Sequence, residues 1–271
     1  LYGISPRPEA QAQQLPPNKT KRMKHALLFF VTVLALHAGE TNAQNAIFLS
    51  SGKIEFEKKV NLHSQIDDDD AWGEFEKKNT PKFRTTYFDL FFSGDKTIYQ
   101  PGRENPDNLK NMEWASIADQ NVVYNELDSS RCVAQKKVFE EMFLIQDSTR
   151  KIQWKITDET RTIAGFQCRR ANALIMDTMY VVAFYTDEIM TPGGPESFSG
   201  LPGMILGVSL PHKHITWFAT QVSAQAPAAN VFKVPSKGKK ASYRNLKDQM
   251  KDVMKDWGAK YRQRNLEAMM L

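Results

Sequence analysis

Two histidines separated by one residue, His212 and His214, are the side chains of this chain best suited to hold a metal ion. On a strand, residues two apart project to the same side, so both imidazoles could meet one ion. Catalytic zinc would need a third ligand and an open position. His63 is the only other histidine after residue 43. The plainer reading is a polar strand edge that begins after Pro211. Ser197 and Ser199 stand among glycines but lack the G-x-S-x-G elbow that would expose a nucleophile. Asp187 and Glu188 could act as acid and base only with a further carboxylate across a cleft. The acids at Asp67–Asp70 lack the alternation, central Gly and closing Glu of a calcium loop. Cys132 and Cys168 have no C-x-x-C spacing for thiol exchange. In an oxidising compartment they could close one disulfide, worth roughly 3–4 kcal/mol if unstrained; two separate buried thiols is the other reading. No catalytic constellation emerges, so a non-enzymatic role is expected. No cofactor is indicated apart from a metal ion at His212 and His214.

The elements that must position these residues are mostly strands. Ile54 and Phe56 alternate with charged residues, as on a half-exposed strand. Residues 83–92 are rich in Thr, Tyr and Phe, and Ser93-Gly94-Asp95-Lys96 turns them back onto 97–100 as a hairpin. The segment 101–119, with Pro101, Gly102 and Pro106, reads as a long excursion. Further strands are expected over 122–127, 137–146, 151–157, 162–175, 179–186, 206–210 and 215–223. Turns are expected at 147–150 and 176–178, and Ile152, Trp154 and Ile156 should share one face. Acids before Ala71-Trp72 favour a short helix there. With tight links and no long intervening helix, the pattern predicts a mainly β protein. Its form is a curved antiparallel sheet, an incomplete barrel, rather than βαβ units.

Residues 243–261 read as one helix, with Leu246, Met250, Val253, Trp257 and Tyr261 in an apolar stripe that should pack on the sheet or cap its open side. From Ser236 to Leu271 there are ten basic and four acidic residues, the pattern of a basic amphipathic segment with a solvated face.

One motif is more specific. Phe184-Tyr185-Thr186-Asp187-Glu188-Ile189 is followed by Gly193-Gly194-Pro195-Glu196-Ser197-Phe198 and then by Gly200-Leu201-Pro202-Gly203-Met204-Ile205-Leu206. Pro202 and Gly203 suit the two central positions of a type II turn, and the apolar run after them has strand length. The order and spacing of these segments resemble the signature of the GLPGLI family, exported bacterial proteins typical of Bacteroidetes with no established common chemistry. The resemblance rests on Tyr185, Thr186, Glu188, Gly194, Pro195, Phe198, Gly200, Leu201, Pro202, Gly203, Ile205 and Leu206, which it implies are structural. Phe184 stands where the family more often has Trp, Met190 where it has Pro and Met204 where it has Leu. The expected shape also resembles the β-clam of periplasmic lipoprotein carriers. By that analogy, Tyr87, Phe88, Phe91, Trp154, Phe184 and Trp217 could line a concave surface for an apolar ligand or an outer-membrane protein partner.

Residues 23–43 carry a short positive region, an apolar run of about ten residues and Thr41-Asn42-Ala43 as a cleavage site, the pattern of a secretory signal peptide. Residues 1–22 read as an upstream extension, 44–235 as the β domain and 236–271 as the C-terminal helical segment. A periplasmic or secreted protein with no transmembrane segment in its mature chain is expected. Residues 1–43 hold five basic and two acidic side chains, which takes three from the +5 total and leaves +2. A nucleic-acid binder is not indicated by that balance.

Overall fold

The structure, a computed structural model, describes residues 3, 48–66, 71–108 and 118–271. The chain divides into the units Leu1–Ala46 and Ile47–Leu271; all the strands and helices among the described residues belong to the second. The expected upstream extension, signal peptide and acidic run Asp67–Asp70 lie outside the described residues, as does 109–117 of the excursion.

Twelve strands form one sheet. In chain order they are β1 Ser51–Asn61, β2 Phe83–Ser93, β3 Lys96–Pro101, β4 Val122–Glu126, β5 Arg131–Val138, β6 Glu141–Ser148, β7 Lys155–Ile163, β8 Phe166–Ile175, β9 Met179–Thr186, β10 Met204–Leu210, β11 Ile215–Ser223 and β12 Lys239–Ala241. Their spatial order is β12-β6-β5-β4-β3-β2-β1-β11-β10-β9-β8-β7. Every pairing is antiparallel except β12 on β6, so the sheet is mixed and open rather than purely antiparallel. β12 also carries the sheet past residue 235, into the segment expected to be helical.

The curvature follows from one connection. β6 and β7 are consecutive in the chain but lie near opposite ends of the sheet, ten strand spacings apart. Flat, that distance would be about 48 Å. The link between Ser148 and Lys155 can reach only about 25 Å, so the sheet must curl to bring its ends together. The expected turn at 147–150 is therefore not a hairpin. The hairpin instead falls between β5 and β6, where Phe139 takes a positive φ of 54°. Ile152 and Trp154 sit in the crossing segment, and Ile156 on β7 is largely exposed.

The inner face of the curl is built by period-2 alternation. Ile54, Phe56, Lys58 and Val60 on β1 are buried, as are Phe88, Leu90 and Phe92 on β2 and Ala134, Lys136 and Val138 on β5. Trp217 on β11 lies opposite Lys58 in register and is fully buried. Two helices fill the concave side: α2, Tyr243–Val253, and α3, Ala259–Met270. (A shorter α1, Ala71–Asn79, lies elsewhere in the chain.) Leu246, Met250, Met254, Leu266, Met269 and Met270 join the same apolar core as the sheet.

The single helix expected over 243–261 is thus two. The chain turns at 254–257, and Gly258, at the N-cap of α3, starts a new helix. The buried stripe is Leu246, Met250 and Met254, four apart, while Val253 and Tyr261 are exposed. The aromatic surface is also redistributed. Phe88 and Trp217 point inward, but Tyr87 and Phe91 occupy the alternate face of β2, under Arg103 and Lys53. Phe184 packs with Phe218 beneath Arg161, on the side away from Trp217. Among the described residues no helix is long and apolar enough to cross a membrane.

Candidate functional site

The motif runs from the end of β9 through the following loop into β10, and most of its residues are buried. Tyr185, Thr186, Phe198, Leu201, Ile205 and Leu206 are buried. Phe198 meets Trp217 edge-on at 6.0 Å. Gly194 has no room for a side chain, since a Cβ would lie 2.7 Å from the Phe198 carbonyl oxygen. Gly203 has φ +139°, and a Cβ there would stand 2.1 Å from the Thr186 carbonyl oxygen. The turn ahead of β10 is tighter than a type II turn: the Gly203 N–H donates to Leu201 O at 2.7 Å around Pro202, a three-residue γ-turn. The strand expected after it is present. Glu188 and Met190 bridge to Leu49. Glu188 O accepts from the Leu49 N–H at 2.8 Å, and the Met190 N–H donates to Leu49 O at 3.1 Å. A proline at 190 has no such hydrogen, so Met190 adds a bond that the commoner residue cannot make.

The same loop inserts Glu196, which is fully buried with φ +52°. A non-glycine residue there stores strain, and such residues persist only where their surroundings hold them. Asn121 Nδ2 donates to Glu196 Oε2 at 2.9 Å. Lys58 Nζ donates to Asp119 Oδ1 at 3.2 Å, and Arg84 donates to the other oxygen of that carboxylate. Lys58 also stands 5.4 Å over the Trp217 ring and 5.7 Å over Phe88. Burial lowers its pKa to about 8, opposed by the nearby Glu196 charge. Glu196 Oε1 and Asn121 Oδ1 are buried there without protein partners.

Beside this network, a cleft of about 970 Å³ opens between the α2–α3 pair and the sheet. Its walls come from β6 and the crossing segment, the serines of the motif loop, and both helices. Asn125, Cys132, Arg150, Tyr243, Leu266 and Met270 line it. Arg150 Nε donates to Ser197 Oγ at 3.1 Å, and its Nη2 donates to Met270 O. Lys136 Nζ donates to Met269 O at 3.3 Å. Burial lowers the Lys136 pKa to about 8, again opposed by Glu196. Burial also raises the Cys132 thiol to about 11, so it is a poor nucleophile.

Of the residues singled out for chemistry, Cys132, Ser197 and Ser199 line this cleft, whereas the histidines, Cys168, Asp187 and Glu188 do not. His212 lies in a 3₁₀ turn over Pro211–Lys213, and His214 is the left-handed residue that ends it. The strand geometry that would aim both imidazoles at one ion is therefore absent. His63 Nε2 is engaged with Thr80 O at 2.7 Å. Among the described residues no group of three or more potential metal ligands is gathered. Cys132 and Cys168 are free buried thiols on β5 and β8. Ser199 uses its carbonyl to accept from Trp154 Nε1 at 2.9 Å, and no histidine lines the cleft.

Lys58, Lys136, Arg150 and Glu196 were missed from sequence. Two of them left a signal. Lys58 occupies the third slot of the alternation Ile54-Phe56-Lys58-Val60, and Lys136 that of Cys132-Ala134-Lys136-Val138. A lysine in an apolar slot of a period-2 run is a candidate buried cation.

Residues 174–207, which span the motif, match the family described as "Protein of unknown function (Porph_ging)". The match ends there. No curated protein matches the chain. Among solved structures the chain is similar to two crystal forms of PNGF-II, at 16% and 15% identity and a TM-score of 0.48. In each case 73% of this chain is covered, and the chain spans about a third (32%) of the length of that protein.

Proposed function

We propose that this chain is an exported, non-enzymatic binding protein of the cell envelope. Its ligand is an apolar-bodied molecule, or a segment of an outer-membrane partner, held between the α2–α3 pair and the sheet. The observation that carries this reading is the cleft of about 970 Å³, a volume suited to a small ligand. The ligand surface is not the expected open aromatic concavity, because the helices already fill most of that space. It is the seam left between helices and sheet. Export to the periplasm or beyond is supported by the signal-peptide pattern over 23–43. The match to a family of unknown function supplies no activity to set against this reading.

Native mass spectrometry of the protein purified from its own envelope tests the proposal. A retained lipid or peptide is expected, lost when Met270 and Leu266 are both changed to Trp to fill the cleft. A bare protein that also takes up no added amphiphile would rule the proposal out.

A further inference from the structure

We infer that the floor of the cleft binds an oxyanion head group, the carboxylate or phosphate at one end of an amphiphile. The inference rests on the cleft being a ligand site and names the chemistry of its ligand. Two donors, Arg150 and Tyr243, line it, and a third, Lys136, is buried against the Tyr243 ring. Lys136 is 1% exposed, and the Met269 carbonyl accepts from only one of its three ammonium protons. Arg150 reaches Ser197 Oγ and the Met270 carbonyl. Tyr243 lies between them, with Lys136 Nζ 5.2 Å and the Arg150 guanidinium 6.0 Å from its ring centre. Its hydroxyl is buried and has no partner.

Buried cations are ordinarily paired with an acid. Among the described residues neither Lys136 nor Arg150 has a carboxylate within salt-bridge distance. Asp147, Asp177, Asp248 and Glu267 line the cleft as well, and Glu267 is paired with Lys213. Glu196 accepts from Asn121, and Asp147 accepts from the backbone N–H groups of Tyr243 at 3.2 Å and Ser148 at 2.8 Å. What answers the cations is the last turn of α3, whose carbonyls carry the negative end of the helix dipole. Capping α3 accounts for one bond from each cation. It leaves unanswered the hydroxyl of Tyr243, a residue of the cleft wall, and two protons of the Lys136 ammonium buried against its ring, the donors that an oxyanion would accept from. Beyond them, Cys132, Met176, Leu266 and Met270 offer an apolar wall for a chain attached to that head.

Isothermal titration of the full chain with octanoate, octyl phosphate and octan-1-ol tests this. At least one anionic probe should bind about tenfold or more tightly than the alcohol, the effect of one or more charge-assisted hydrogen bonds. Whichever of the two anions binds better identifies carboxylate or phosphate as the head. Tyr243→Phe is the informative variant. It removes an orphan buried hydroxyl, so the unliganded protein should melt at the same or a higher temperature, while anion affinity falls about five- to tenfold. A purely structural tyrosine would move the first reading and not the second. Arg150→Gln should cost about 10- to 100-fold; if it does not fold, Tyr243→Phe decides alone. Equal affinity for alcohol and anions, or anion binding unchanged in Tyr243→Phe, overturns the head-group assignment while leaving the cleft a ligand site. Failure of all three probes to bind overturns both.

Discussion

Two buried lysines on the inner face of the same sheet are treated in opposite ways. Lys58 on β1 meets the Asp119 carboxylate, which Arg84 also holds, and lies over two aromatic rings. Lys136 on β5 meets only the backbone carbonyl of Met269 and the face of Tyr243. Burial lowers the pKa of both ammonium groups, each to about 8. The difference lies in what repays that penalty. Around Lys58 a side-chain network ties β1, β2 and the 118–121 segment together. Around Lys136 the repayment is partial and comes from a helix end, beside open volume. The first arrangement reads as a structural clamp and the second as an incomplete site.

The largest expected effect comes from breaking the clamp. Asp119→Ala leaves the buried Lys58 without the carboxylate it donates to and should cost about 3–5 kcal/mol in urea unfolding. Lys58→Met should cost less, about 1–3 kcal/mol, because Asp119 keeps Arg84 and loses one charged hydrogen bond. The contrasting substitution on the other strand, Lys136→Met, should leave the unliganded protein unchanged or stabilise it by up to about 2 kcal/mol, since it removes a poorly compensated buried charge. Equal losses at the two lysines would abolish the distinction between clamp and site.

The smallest effect is a pH dependence. Both lysines have folded pKa values near 8 against an ordinary 10.5, so above pH 8 the unfolded chain holds protons that the folded chain has released. Stability therefore rises with pH from there. The buried thiols act in the opposite sense. Cys132 and Cys168 are raised to about 11 and about 12, so above their ordinary 9.0 the unfolded chain ionises first and is favoured. The denaturation midpoint should climb between pH 8 and 9 and then level off. Lys136→Met should make that climb shallower, and a midpoint that falls across this window would contradict the burial of both lysines.

How much of this was legible in the sequence varies by element. The β1 alternation, the β2–β3 and β8–β9 hairpins, and the strand after Pro202-Gly203 were readable, because period-2 burial and turn residues are local signals. Over the crossing at 149–154 the sequence reads as a turn at 147–150 and a strand from 151, since Asp147-Ser148-Thr149-Arg150 has turn chemistry and nothing local distinguishes a hairpin from a link between distant strands. The C-terminal helix was read as continuous because its apolar spacing runs past 254, although Gly258 stood there as a break signal. The His212 and His214 pair depended on a strand that gives way to a 3₁₀ turn one residue after Leu210. Of the cleft floor, the only trace was a lysine in an apolar slot at 136; Arg150 and Tyr243 are 93 residues apart and sit in a link and a helix start.

By itself the sequence determined that this chain would be a run of strands followed by an amphipathic helical segment, because alternation, turn residues and helical spacing act over a few neighbouring residues. Only the tertiary structure decided which strand lies at which edge, how far the sheet curls, and which cations are left short of an acid. Those outcomes depend on where the chain returns after long excursions, and charge compensation is a property of the residues that meet rather than of those that follow one another.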